Sequence, residues 1–203
     1  CIPFVHEVSA AIATEYFNAS SSTIGKAFCL VTTGPGLTNT VTGIAGAWLE
    51  SHELLIIAGQ VKVSDLASKG IRQRGIQELP GIEIVSPISN RVKRLTKQID
   101  DISFKNLVRS GLIGRKGPVV IEVPIDISAS KSKKIKSKAK LLKLKKHAIS
   151  QANIKKLSTL IENSKRPLIL LGGGIDRSQS EIFLNAIKDF GVPVAATWAG
   201  ADR

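Results

Sequence analysis

The feature that most constrains this chain is the alternation, over its first 128 residues, of short apolar β-type runs with stretches of helical spacing. Such alternation is the pattern of a parallel sheet covered by helices, because parallel strands need a crossover and helices supply it. Cys1–Val5 reads as the end of a strand, and residues 7–18 as a helix with Ala10, Ala11, Ala13, Phe17 and Ala19 on packed faces. A strand is expected over 26–32. Gly34-Pro35-Gly36 then breaks the chain before a helix over 37–49, in which Val41, Ile44, Ala45 and Leu49 keep a helical period. Strands follow at 54–58, 92–95 and 119–123, with a polar loop over 62–77 and a helix over 102–110.

From Ser128 to His147 the sequence changes character. Nine of the 29 basic residues of the chain lie between Lys131 and Lys146, where no acidic residue occurs. The net charge of +13 therefore belongs largely to one segment, read as a linker over 129–150, and the body is only mildly basic. Beyond it, helix 151–163, strand 167–171, the Gly172-Gly173-Gly174 turn, helix 181–190 and strand 192–196 make one βαβ unit with a leading helix. About 50 residues bury too little surface for comfort alone, so 151–203 is expected to be the truncated opening of a larger Rossmann-like second domain. The first residue is not Met, and the start is read as a cut edge.

The apolar runs are about five residues long against the roughly 20 a spanning helix needs, which leaves no membrane span. Cys1 and Cys29 offer no metal spacing, and Cys29 sits in an apolar run where a reduced thiol is common, so the cytoplasm is the expected compartment.

Three places carry chemistry: His6-Glu7 at the start of a helix, Thr32-Thr33-Gly34-Pro35-Gly36-Leu37-Thr38-Asn39 at a strand-to-helix turn, and Gln77-Glu78 after a loop. Each is ordinary alone: a glutamate in a first helical turn usually just meets the helix dipole, and Gly-Pro-Gly is usually just a turn. In a parallel sheet, however, all three are expected at the carboxyl ends of the strands, the edge where ligands bind.

Their order, continued by Gly59-Gln60 and by Gly114-Arg115-Lys116-Gly117-Pro118-Val119 with Val123-Pro124-Ile125-Asp126, resembles the pyrimidine-binding domain of the acetolactate synthase and pyruvate oxidase family of thiamine-diphosphate enzymes. The resemblance covers about 1–128, and Arg166-Pro167 to Gly174 resembles the opening of that family's central domain. It implies an enzyme acting on 2-oxo acids by decarboxylation or carboligation, dimeric or tetrameric, with the cofactor held between one subunit's pyrimidine domain and its partner's diphosphate domain. By the same resemblance Glu7 bonds the aminopyrimidine and favours the tautomer that activates the thiazolium carbon. The carbanion chemistry belongs to the cofactor. Pro35 and Asn39 line the aminopyrimidine pocket, Gln77 faces its reacting end, and Gly34 and Gly36 let the backbone approach closely. His6 only orients its turn. A dry cleft is expected to raise the pKa of Glu7.

The family's diphosphate and Mg2+ site, a Gly-Asp-Gly with a later Asn, has no counterpart here, so no metal ligand is assigned and the chain alone is expected to hold the cofactor weakly or not at all. Ser89-Asn90 stands where many synthases carry Thr-Lys. Some relatives hold FAD in the central domain, which leaves a flavin open for the intact protein. Other readings are a basic nucleic-acid-binding or anchoring module through Lys131–Lys146, which lacks aromatic residues for base stacking, a nucleotide binder on Gly172–Gly174, which lacks the full glycine fingerprint, and a non-catalytic remnant or half of a split enzyme.

Overall fold

The computed structural model describes residues 1–20, 26–131, 135–137, 139–144, 149–175, 180–188 and 190–201. The chain divides into two units, Cys1–Lys143 and Leu144–Arg203.

In the first unit β1 (Cys29–Val31), β2 (Leu54–Gln60), β3 (Arg91–Arg94) and β4 (Pro118–Pro124) form one sheet in the order β1-β2-β4-β3. Every pairing is parallel, with Cys29 opposite Ile56, Ile56 opposite Val120 and Val92 opposite Val120. The central strands are apolar nearly throughout because both faces are covered. Over β4, Pro118 to Glu122 are all buried. On one face α1 (Glu7–Ser20) and α3 (Val41–Glu50) bring Ala11, Ile44 and Ala47 onto Cys29, Val31, Leu54, Ile56 and Ala58. On the other, α5 (Asp101–Arg109) brings Phe104, Leu107 and Val108 onto Val119 and Ile121. Asp100 starts α5 by accepting the Ser103 N–H at 2.9 Å. The edge strand β1 alternates, so Leu30, with Phe28 just before it, faces away from α1 and α3 and is exposed.

Three local expectations differ. Residues 1–5 form no strand: all five are exposed, and among the described residues no strand pairs with them to give a ladder. The helix expected over 37–49 is two, α2 (Pro35–Asn39) and α3, because the hydroxyl of fully buried Thr40 donates to the Leu37 carbonyl at 2.6 Å and turns the chain between them. A short helix, α4 (Gly81–Val85), follows Pro80 where none was expected, and α6 (Ile125–Ser128) follows β4.

Within the first unit, part of the lysine-rich stretch is held against α5. Asn106 of α5 donates to the Lys140 carbonyl at 2.9 Å and accepts the Leu142 N–H at 2.6 Å, while Arg109 Nε donates to the Leu142 carbonyl at 3.0 Å. Lys131, Lys136, Lys140 and Lys143 are exposed. Lys133, Lys134, Lys138, Lys145 and Lys146 lie outside the described residues.

The second unit holds α7 (Gln151–Glu162), β5 (Ile169–Leu171), α8 (Ser180–Lys188) and β6 (Val194–Ala196), with β5 and β6 parallel and Ile169 opposite Val194. Among its described residues Leu171 is the buried hydrophobic, while Leu157, Leu160, Leu168, Leu170 and Ile182 are exposed. Gly172–Gly174 follow β5 in the turn read from the sequence.

Candidate functional site

The carboxyl end of β1 runs into Thr32, Thr33 and Gly34. Gly34 has φ +58°, and a Cβ there would overlap the Gln77 carbonyl oxygen, so the turn admits only glycine. Pro35, on the exposed side of the turn, opens α2 with the φ a first helical turn needs. One turn later Asn39 Nδ2 donates to Glu7 Oε2 at 3.0 Å. The other carboxylate oxygen, Oε1, lies 3.7 Å from where a Cβ of Gly36 would sit. Glu7, Gly34, Gly36 and Asn39, distant in sequence, are thus brought to one edge of the sheet, with Pro35 beside them. Gln77 meets them through its backbone: its φ is +57°, a left-handed conformation uncommon outside glycine, and its side chain is exposed.

Glu7 points at the Gly34–Asn39 turn but is only half-buried. The Asn39 amide, then its own backbone N–H, hold its carboxyl below the ordinary glutamate value against a smaller effect of burial. This corrects the expected rise: one side of the carboxylate is open, so hydrogen bonding to the charged form outweighs desolvation. Next to it, exposed His6 accepts the Val8 N–H on Nδ1 at 3.2 Å.

Beneath the turn runs a polar chain that sequence reasoning missed. Thr33 Oγ1 donates to Gln60 Oε1 at 3.1 Å, Gln60 Nε2 donates to Glu122 Oε1 at 3.3 Å, and Arg94 Nε donates to Glu122 Oε2 at 2.6 Å. It ties the ends of β1, β2, β4 and β3 together. Glu122 is 1% exposed, and burial pushes its carboxyl up despite Arg94. The available signal was the lone charge inside the apolar run Val119–Val123. Removing one partner of a buried pair strands the other. Arg94→Met is therefore expected to cost about 3 kcal/mol in urea unfolding, and a loss below about 1 kcal/mol would show that Glu122 needs no partner.

The Gly114–Val119 motif and Asn90 lie at the opposite edge. The Asn90 N–H donates to the Pro118 carbonyl at 2.8 Å, where β4 begins, and its side chain donates to the Arg115 carbonyl at 2.8 Å. These residues shape the amino ends of the strands. Among the described residues no group of three or more His, Cys, Asp or Glu side chains could hold a metal ion, and no helix is long and apolar enough to cross a membrane.

Residues 1–84 match the family model of the thiamine pyrophosphate enzyme N-terminal TPP binding domain. The chain is 35% identical to the acetolactate synthase large subunit of Lactococcus lactis subsp. lactis over 96% of its length and 33% of that protein's. It is 34% identical to a protein named "Probable acetolactate synthase large subunit" from Methanococcus aeolicus over the same shares. With the acetolactate synthase large subunit of Buchnera aphidicola it shares 35% identity, over 86% of this chain and 30% of the relative. The chain spans about a third of the length of the curated relatives it matches. Residues 1–84 thus resemble the N-terminal TPP binding domain of thiamine pyrophosphate enzymes, with which the parallel sheet and its motif-bearing carboxyl edge are consistent, and the chain as a whole is similar to acetolactate synthase large subunits.

Proposed function

We propose that the complete protein is a thiamine-diphosphate-dependent, acetolactate-synthase-like enzyme of 2-oxo acids, in which Glu7 engages the cofactor's aminopyrimidine. The observation that carries this is the half-buried Glu7 carboxylate at the carboxyl edge of the sheet, held by Asn39 through one oxygen beside the Gly34–Asn39 turn. An anionic acceptor with one side open at that edge fits a heterocycle with an N–H to donate. The cofactor, when bound, supplies the nucleophilic carbon and the electron sink. The chain supplies the rest. Glu7 holds a proton at the heterocycle, Asn39 orients Glu7, Pro35 and Gly34 shape the wall, and the Gln77 amide faces the reacting end.

On this reading residues 1–128 are the pyrimidine-binding domain, 129–150 the linker and 151–203 the start of a central domain. The diphosphate and Mg2+ are held elsewhere in the complete protein, and a second subunit supplies that cover. Closing it over Glu7 would remove water from the open side and move its pKa upward. A cytoplasmic setting suits free Cys1 and buried, free Cys29, whose thiol burial pushes up to about 11.

The test is release of carbon dioxide from pyruvate and other 2-oxo acids by the complete protein, with and without thiamine diphosphate and Mg2+. Cofactor-dependent release is expected, and the 203-residue chain alone should bind the cofactor more weakly than about micromolar. Release indifferent to the cofactor, or none from any 2-oxo acid, would sink the reading.

A further inference from the structure

The connection from β2 to α4 spans residues 61–80 with only a short 3-10 turn, Val63–Asp65, of its own. A connection of that length inside a folded unit needs something to hold its shape. At its start the Val63 N–H donates to Asp126 Oδ1 at 3.2 Å. Near its end stands Glu78, whose side chain is turned back into the loop. The Ala67 N–H donates to Oε1 at 2.6 Å, and the N–H groups of Arg74 and Gly75 donate to Oε2 at 3.0 and 3.1 Å. The residue is 8% exposed. Burial pushes its carboxyl up, but the three N–H donors outweigh that and leave it below the ordinary glutamate value.

The residue on its amino side is Gln77, left-handed at φ +57° with its carbonyl against Gly34. A non-glycine residue holds such a conformation only where its surroundings over-determine it. Gly34 itself is anchored separately, through Thr33 and Gln60.

We propose that Glu78 is a positioning residue: its carboxylate folds residues 67–75 and thereby holds Gln77 in the left-handed conformation that seats it against the Gly34 turn. In its bearing on catalysis this rests on the thiamine-diphosphate reading above, while the folding of the loop stands without it. Glutamine at 78 keeps the volume but not the function, because an amide has one accepting oxygen and turns an NH2 toward an N–H donor. Space filling alone would tolerate it.

The experiment compares wild type, Glu78→Gln and Glu78→Asp in the complete protein, by hydrogen exchange read on peptides covering 61–80 and by steady-state kinetics. In Glu78→Gln the amides of Ala67, Arg74 and Gly75 should exchange at least about tenfold faster, as expected when charge-assisted hydrogen bonds are lost. Peptides covering β2 and β4 should be unchanged. Turnover should fall about tenfold while half-saturation by thiamine diphosphate moves less than about twofold, since the Gly34 turn keeps its own anchor. Glu78→Asp keeps the charge and should retain part of both the protection and the turnover, which also serves if the glutamine variant fails to fold. Unchanged exchange in 61–80 overturns the proposal, and so does faster exchange with normal turnover, which would make Glu78 a clamp without influence on the site. A wild-type protein without cofactor-dependent turnover sinks the functional reading instead, and the exchange comparison then still decides whether Glu78 folds the loop.

Discussion

On the proposed thiamine-diphosphate reading, Glu7→Gln in the complete protein is expected to lower turnover of a 2-oxo acid by about 10²- to 10⁴-fold, the range that a positioned proton-transfer group contributes. The substitution keeps the length of the side chain and its place at the first turn of α1, so the contact to Asn39 and the packing of the helix on Ile44 and Ala47 survive. What it removes is the charge. The carboxyl is held below its ordinary value by the Asn39 amide and its own backbone N–H, so it is an anion at neutral pH. For a carboxylate whose folded pKa is depressed, the linked stability is present above the unfolded value and is lost as pH falls through the folded one. An amide has no such dependence, so the variant should lack that small linked stability at neutral pH and approach wild type as pH falls, while losing its chemistry. Turnover within about threefold of wild type would remove Glu7 from the mechanism, since a loss that small is well under 1.4 kcal/mol of barrier.

Gly34→Ala is expected to destabilise the first unit by roughly 4 kcal/mol or more, a size reached only by a few mechanisms. Two act together here. The left-handed φ of +58° penalises any Cβ by about 1–2 kcal/mol. The new methyl would also overlap the Gln77 carbonyl, a backbone atom that cannot rotate away as a side chain could. Relief requires the β1–α2 turn and the Gln77 segment to part, which takes Asn39 from Glu7 and exposes the Thr33–Gln60 contact. Urea unfolding and the soluble yield of the variant provide the measurement. A midpoint close to wild type would mean that the turn can be rebuilt without glycine.

How much of this was legible depended on whether a residue's environment is local. The alternation of elements was readable because periodicity follows from burial on one or two faces. The apolar runs at 54–58 and 119–123 correspond to β2 and β4. β3 was fainter because Arg91 and Lys93 interrupt it on the exposed side. The break at Thr40 was not readable: apolar spacing continues across it, and one buried hydroxyl makes the turn. Glu78 and Glu122 were invisible as structural acids for a related reason. Each is satisfied by partners supplied by the tertiary fold, three loop N–H groups in one case and Arg94 and Gln60 in the other. For Glu7 the sequence order pointed to the right neighbours. It gave the wrong direction of titration, because burial was assumed on every side whereas this chain covers only one.

The two flanks of the sheet are unlike. On β3 the outward positions are cationic, Arg91 and Lys93, and like charge discourages a foreign strand from docking there. β1 has no such guard: among the described residues no strand pairs with its outer edge, Leu30 is 68% exposed and Phe28 54%. When the chain is concentrated by itself, self-association should therefore start at β1 and spare β3, and a single lysine in place of Leu30 would supply the missing deterrent.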